Sequence, residues 1–487
     1  MHNDNCPLWS YADFVNAIGV AHSPEQARRI SDILGVSIDT RTLTKGDVFV
    51  ALPGAQCHGS TLVDDAFAKG ASAVMVESAM PLVSSFCVPN ARHALWNLAV
   101  AARKRYTGPV VAVTGSTGKT TVKDGIGHAL RAQRPTFVSR SSFNNSLGVS
   151  VSLANLPRDV HYAVFEHGMD RSGQIQSLVQ RVQPTVAMVT NVSCQHMANF
   201  NTVQDIARAK AEIMSVDSVH TVVLNHDCDY YDMMRSSALC HQRIITFGRA
   251  AHATVRIDNT TIDGSMMVIN LTVQGHPLTC RVPNIGAYWA TNTASILAAV
   301  LAVDGDIHQA AHSLSSFYPP VGRGHVMHVG GMTIIDDSYN AAPKAMEKAL
   351  TDLAQYPAKG KKYGFLGAMH ELGNQEEAMH RALVPFIQKA CDHVWVCGSA
   401  FRFMANEPSV SCTYADDIRD MIQSCMTRLN PGDVVLVKGA RGMETFAFIY
   451  ALLVRFGGID AACTYPLRVY MNADTVQWVH TCFGGAP

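Results

Sequence analysis

The sequence predicts an α/β protein of three domains. Three observations carry this expectation. Short apolar runs rich in β-branched residues alternate with helical stretches, the pattern of strands in parallel sheets covered by helices. The chain has 487 residues, and domains of roughly 100–200 residues make three the natural division. Two breaks interrupt the pattern, "RYTGPV" and the Pro- and Gly-rich "SSFYPPVGRGH", and they divide the chain into residues 1–108, 109–318 and 319–487.

Within the first segment, "DVFVAL" and "SAVMV" read as strands. In the second, "VVAVTG", "YAVFEHG", "TVAMVTN" and "TVVLN" do so, and in the third "MTIIDD", "YGFLGA", "HVWVCG" and "DVVLVKG". Residues 251–285 differ, because polar and apolar residues alternate there between turn signals. That alternation predicts a small antiparallel patch inside the middle segment.

Composition narrows the class. Hydrophobic residues make up 48% and charged residues 16%, with Lys+Arg and Asp+Glu both 39, so formal net charge is +0. Bulk attraction to nucleic acid or to an anionic membrane is therefore not expected. The 13 Cys form no Cys-x-x-Cys pair and read as reduced, mostly buried thiols, without a zinc site. "MHELGNQEEAMH" holds His370 and Glu371, but the next His is 380, which is not the spacing of a zinc protease helix. The N-terminus shows no signal-peptide pattern, and apolar runs such as "ASILAAVLAV" are too short to span a bilayer. A cytoplasmic protein is expected, monomeric in the absence of any coiled coil.

The stretch "PVVAVTGSTGKTTVKDGIGHAL" places chemistry on this frame. An apolar strand enters the loop Gly115, Ser116, Thr117, Gly118, followed by Lys119, Thr120 and Thr121, and a helical pattern begins. Such a loop supplies backbone N–H groups for phosphates, a lysine for the β/γ-phosphates and a hydroxyl for Mg²⁺. Its spacing departs from the common Gly-x₄-Gly-Lys-[Ser/Thr] loop, because Val113 takes the place of the first glycine and the glycine is at 115. Downstream, Glu166 closes a strand, His196 follows another, and Lys210 lies on a helix with Arg208 and Glu212. Glu166 and His196 are candidate metal or phosphate ligands behind a nucleotide loop, and Lys210 joins them only by its order after that loop.

The order TGxxGKTT, FNNxxGV, a strand ending in Glu-x-Gly, TN…H and ARAKxEI resembles the Mur ligase family, ATP-dependent amide-forming enzymes of bacterial cell-wall synthesis. "GRGHVMHVGGMTIIDDSYNAAPKAMEKAL", "FLGAMHELG" and "VVLVKGARGME" extend the resemblance through the last third, and "SIDTRTLTKGDVFVALPGAQCHG" through the first. It implies an N-terminal α/β domain for a UDP-linked substrate, a central P-loop NTPase-like parallel sheet and a C-terminal Rossmann-like domain. It implies ATP and Mg²⁺ as cofactors, and UDP-N-acetylmuramoyl-tripeptide and D-alanyl-D-alanine as substrates.

By the same resemblance, Thr120, Glu166, His196 and Lys210 hold metal, with Lys210 carried as a carbamate. Lys119 and Arg323 act on the transferring phosphate, and Asn292 and Asp337 contact adenine and ribose. Asp39, Arg41, Asn144, Asn145, Tyr339, Asn340, Lys438 and Arg441 face the substrates. The chain departs from the family pattern at Ala342, Ala368 and Ala440, at His167 and Met169, and at His58 and Ser60. The tail after residue 456 matches nothing in the pattern. Alternatives open at this level are a sibling ligase with another acceptor, such as a folylpolyglutamate synthase, a P-loop kinase, and a nucleotide-binding protein without ligase activity.

Overall fold

Parallel strands carry the architecture in three larger sheets strung along the chain, beside a two-stranded antiparallel pair, Trp9–Ser10 with Asp32–Ile33, among the described residues. The computed structural model describes residues 7–30, 32–54, 57–80, 82–140, 143–194, 199–263, 266–283, 286–466 and 471–484. The first sheet has four strands, Gly35–Ser37, Asp47–Val50, Ala73–Val76 and Ser85–Cys87, all parallel and in chain order. The second has nine and the third six.

The nine-stranded sheet is built around Val110–Thr114, which pairs in parallel with Tyr162–Glu166 on one side and Val186–Val189 on the other. Every residue of Val110–Thr114 is buried, since both faces of the sheet are covered. Val111 and Val113 point into the core shared with helices Lys119–Arg131 and Ala287–Ala302. Ala112 points to the opposite face, against Ile175, Val179 and Ile206. A period of two with both faces apolar is what a covered parallel strand requires. The alternating stretch forms Val255–Asp263, Met266–Val273 and His276–Val282, antiparallel to one another. The patch is not separate: Phe247 pairs with Val255 and Gly248 with Arg256, so it continues the same sheet.

The six-stranded sheet sets the antiparallel edge strand His325–Val329 beside Met332–Asp337. Val434–Lys438, Lys362–Gly367, His393–Cys397 and Cys412–Ala415 then follow in parallel. Val435 and Val437 face the long helix Phe446–Cys463, while Val434 and Leu436 face the opposite core. The tail belongs to this domain's structure. Phe446–Cys463 kinks at Gly458, and the last helix, Ala473–Phe483, packs back on it with Tyr450 Oη 2.7 Å from His480 Nε2.

The N-terminal sheet is fastened to the middle domain by polar contacts that need both partners. Asn155 exchanges two hydrogen bonds with the backbone of Val36, at 2.9 and 2.8 Å. Trp9 Nε1 donates to Ala154 O at 2.9 Å, and the Arg105 guanidinium covers the Trp9 ring at 3.8 Å while donating to the carbonyls of Leu8 and Leu156. Among the described residues no helix is long and apolar enough to cross a membrane.

One departure from the family pattern has a local physical meaning. Ala342 is the N-cap of the 13-residue helix Pro343–Gln355, and it offers the first-turn N–H groups no side-chain acceptor. Asn, the residue expected there from the resemblance, is among the best N-caps, worth about 1 kcal/mol over Ala. Ala342→Asn is therefore expected to stabilise the C-terminal domain by about 0.5–1 kcal/mol, read as a higher denaturant midpoint. An unchanged or lower midpoint contradicts this reading of the helix end.

Candidate functional site

The phosphate loop takes its shape from its neighbours. Thr190 and Asn191 follow the strand Val186–Val189, next to Val110–Thr114 in the sheet. Thr190 Oγ1 donates to Thr117 O at 2.7 Å, Asn191 Oδ1 accepts from Thr117 N at 2.9 Å, and Asn191 Nδ2 donates to Thr117 Oγ1 at 2.6 Å. Ser116 N donates to Asn191 O at 3.0 Å. Gly115 is required here, because a Cβ at that position would lie 1.9 Å from Thr190 Oγ1. Gly118 then opens the helix Lys119–Arg131, whose N-terminus is aimed at the loop.

Lys119 lies curled under the loop, donating from Nζ to Gly115 O at 2.8 Å and Ser116 O at 3.1 Å. Burial pushes its ammonium below lysine's ordinary range, partly opposed by Glu166 and reinforced by Arg323. Thr120 Oγ1 donates to Glu166 Oε2 at 2.7 Å, and Asn144 Nδ2 donates to Glu166 Oε1 at 2.7 Å. Glu166 thus joins the loop helix to the loop before the next helix. A threonine hydroxyl beside a carboxylate is a hard-oxygen donor pair of the kind that suits Mg²⁺. No cluster of three His, Cys, Asp or Glu occurs among the described residues. Mg²⁺ fits that setting, since it is usually held by one or two carboxylates together with substrate phosphates.

Lys210 is buried at 2% exposure near the end of helix Val203–Ala211. Burial drives its amine well below the ordinary lysine range, and the nearby charge of Lys119 adds to this. The neutral amine is the form that can capture CO₂. His196 lies outside the described residues.

A cavity of about 750 Å³ opens above the loop, between the middle and C-terminal domains. Ser116, Thr117, Gly118, Lys119 and Thr121 line one wall, with Asn144, Glu166 and Asn292. The C-terminal domain supplies Arg323, Asp337, Tyr339, Asn340, Lys438 and Arg441 on the other. Lys438 Nζ donates to Asp337 Oδ2 at 2.5 Å and to Asn340 O at 3.0 Å. The Arg323 guanidinium stacks on the Tyr339 ring at 4.0 Å, with Arg441 at 5.7 Å from the same ring.

Gly115, Thr120 and Lys210 do not themselves line the cavity, and neither do three further candidates, Asn145, Asp39 and Arg41. Asn145 caps the helix Ser146–Ala154, accepting from Gly148 N at 2.9 Å. Asp39 and Arg41 form an exposed bidentate ion pair in the N-terminal domain, with contacts of 2.9 and 2.6 Å. That pairing holds the Asp39 carboxyl below the usual carboxylate range. The cavity also draws on residues that the sequence did not assign to the site: Tyr288 and Lys348, Thr190 and Asn191 of the TN…H motif, and His370 and Glu371, weighed there only as a zinc-protease pattern. Thr190 and Asn191 had a signal, polar residues at the carboxyl end of an apolar strand, the level at which open α/β sheets bind ligands.

Three family models match the chain in order: Mur ligase family, catalytic domain, over residues 32–105; Mur ligase middle domain, over 113–302; and Mur ligase, glutamate ligase domain, over 322–441. The UDP-N-acetylmuramoyl-tripeptide--D-alanyl-D-alanine ligase of Rickettsia prowazekii (strain Madrid E) is 30% identical over 418 residues, 84% of this chain and 93% of that protein. The chain belongs to the Mur ligase family. The ligase of the same name from Escherichia coli (strain K12) is 29% identical over 428 residues, 86% of this chain and 93% of its own. The fold is that of MurF from Acinetobacter baumannii, with a TM-score of 0.78 at 24% identity, covering 92% of this chain and 100% of that one. MurF from Thermotoga maritima in complex with ADP has a TM-score of 0.69 at 24% identity, covering 88% and 97%.

His167, a departure from the Mur ligase pattern next to Glu166, is fully buried. Neither ring nitrogen has a hydrogen-bond partner among the described residues, and burial pushes its pKa down to about 3. It packs as a neutral ring.

The loop geometry makes a sharp prediction. Gly115→Ala drives a methyl group against Thr190, and overpacking of this kind costs about 1–3 kcal/mol. ADP affinity by calorimetry is expected to fall about five- to hundredfold with the circular dichroism spectrum unchanged. Unaltered affinity would show that the loop does not need its observed shape to bind nucleotide.

Proposed function

We propose that this chain joins D-alanyl-D-alanine to UDP-N-acetylmuramoyl-tripeptide, coupled to ATP cleavage, in peptidoglycan precursor synthesis. The observation that carries the reading is one cavity shared by two domains. It places the phosphate loop of one domain opposite Arg323, Asp337 and Lys438 of the next. Relatives that align over most of the chain bear the name of this ligase.

A peptide carboxylate is a poor acyl donor at neutral pH, because its leaving group would be an oxide. Transfer of the γ-phosphoryl group to a carboxylate oxygen forms an acyl phosphate and releases ADP. The amine of D-alanyl-D-alanine then attacks the acyl carbon, and the C–O bond breaks as phosphate leaves and the amine proton is lost. Lys119 and Arg323 are the cations that face the transferring group, and their work is neutralisation of charge. Asn292 would hold the adenine and Asp337, with Lys438, the ribose. Thr120, Glu166, His196 and a carbamylated Lys210 would hold Mg²⁺, which when bound screens the phosphate oxygens. Asn144 fixes the Glu166 carboxylate from the side away from Thr120. Tyr339, Asn340 and Arg441 lie on the wall where an acceptor would enter. We assign substrate contacts in the N-terminal domain to Asp39 and Arg41. Residues from two domains converge on one cavity, so closure of the C-terminal domain would align the reacting groups.

The test mixes the protein with ATP, Mg²⁺, UDP-N-acetylmuramoyl-tripeptide and D-alanyl-D-alanine, omitting each in turn, and follows phosphate release and product mass. Release that needs both peptide substrates and yields the pentapeptide is expected. Lys119→Ala and Lys210→Ala are each expected to lower that rate by at least about a hundredfold, the scale of losing one group that stabilises developing charge. Phosphate release indifferent to D-alanyl-D-alanine would contradict the assigned acceptor, and no release despite ATP binding would contradict the ligase reading altogether.

A further inference from the structure

We infer that Tyr465, in the tail beyond the residues matched by the family model, is a positioning residue for Arg323 and acts through the buried carboxylate of Asp336. Its kinetic consequence rests on the ligase reading above; its structural consequence does not.

Asp336 is fully buried at the end of the strand Met332–Asp337. Its Oδ1 accepts from Ser338 N and Ser338 Oγ. Its Oδ2 accepts from Gly322 N at 2.9 Å and from Tyr465 Oη at 2.8 Å. Two backbone bonds complete the fastening: Gly324 N donates to Asp336 O at 2.8 Å, and Tyr339 N donates to Gly322 O at 3.0 Å. Arg323 is therefore held between two residues that are each tied to the segment 336–339, and its guanidinium rests on the ring of Tyr339. Gly322 and Gly324 both have φ of +81°, so the linker turns twice through a conformation that favours glycine.

A carboxylate removed from water needs donors on both oxygens. Tyr465 is 5% exposed and supplies one of the two donors on Oδ2. It reaches this point from 129 residues away, after the kink at Gly458. The family model of the C-terminal domain ends at residue 441, so this donor comes from outside the matched region. Without the hydroxyl, Gly322 N carries Oδ2 alone among the described donors. The carboxylate then draws in water or takes a proton, and either change loosens Gly322 and the arginine beside it. A misplacement of even about 1 Å in a positioning element can cost catalysis heavily.

The test is Tyr465→Phe in the full chain, which keeps the ring and removes only the hydroxyl. Hydrogen exchange followed by mass spectrometry is expected to show the Gly322 and Gly324 amides exchanging about tenfold faster, as for loss of one charge-assisted hydrogen bond. The strands of the six-stranded sheet should keep their protection. In the ligase assay kcat is expected to fall about tenfold while the KM values for ATP and both peptide substrates hold. Unchanged exchange at Gly322 and Gly324 overturns the inference. So does acceleration spread evenly over the sheet, which would make Tyr465 a packing residue, or an unaltered kcat. A wild-type protein that releases no phosphate would refute the ligase reading instead, and the exchange measurement would still decide the role of Tyr465.

Discussion

Three parallel strands of the middle domain, Val110–Thr114, Tyr162–Glu166 and Val186–Val189, end at one level, because their register pairs Val113 with Glu166 and Thr114 with Val189. The rest of the site hangs from that alignment. It brings the phosphate loop, the Glu166 carboxylate and the Thr190–Asn191 brace to the same edge of the sheet. A register slip of one residue would turn every side chain of a strand to the other face. The apolar cores on both faces of Val110–Thr114 hold the register, so packing distant from the cavity sets the distances within it.

The C-terminal domain repeats the principle. Met332–Asp337, Val434–Lys438 and Lys362–Gly367 are adjacent and parallel, and the loops after all three reach the cavity. Successive residues of a strand point to opposite faces, and the pair Asp336 and Asp337 uses both. Asp337 meets Lys438 at the cavity, while Asp336 turns inward to hold the linker. One strand end thus presents a charged contact to the cavity and fixes the linker that carries Arg323.

Much of this was legible in the sequence where the signal is local. The run of β-branched residues into Gly-Ser-Thr-Gly-Lys could be read as strand, loop and helix from neighbouring residues alone. The alternation in residues 251–285 was equally clear. That the patch continues the main sheet was not, because the junction is only two residue pairs, Phe247 with Val255 and Gly248 with Arg256. Asn144 and Asn145 are the same residue type side by side, yet one reaches Glu166 and the other caps a helix. Only the direction of each side chain separates them. The tail carried no motif, and the partner of Tyr465 is a residue from a distant strand, so no local pattern announces it.

The chemistry turns on one order of events: the cavity activates a carboxylate by phosphorylation before an amine attacks it. The most direct test is to supply UDP-N-acetylmuramoyl-tripeptide labelled with ¹⁸O in its terminal carboxylate, together with ATP, Mg²⁺ and D-alanyl-D-alanine, and to weigh the phosphate released. One labelled oxygen is expected to pass to phosphate for each amide formed, since the acyl C–O bond breaks and that oxygen leaves with phosphorus. Phosphate free of label, alongside amide product, would contradict it.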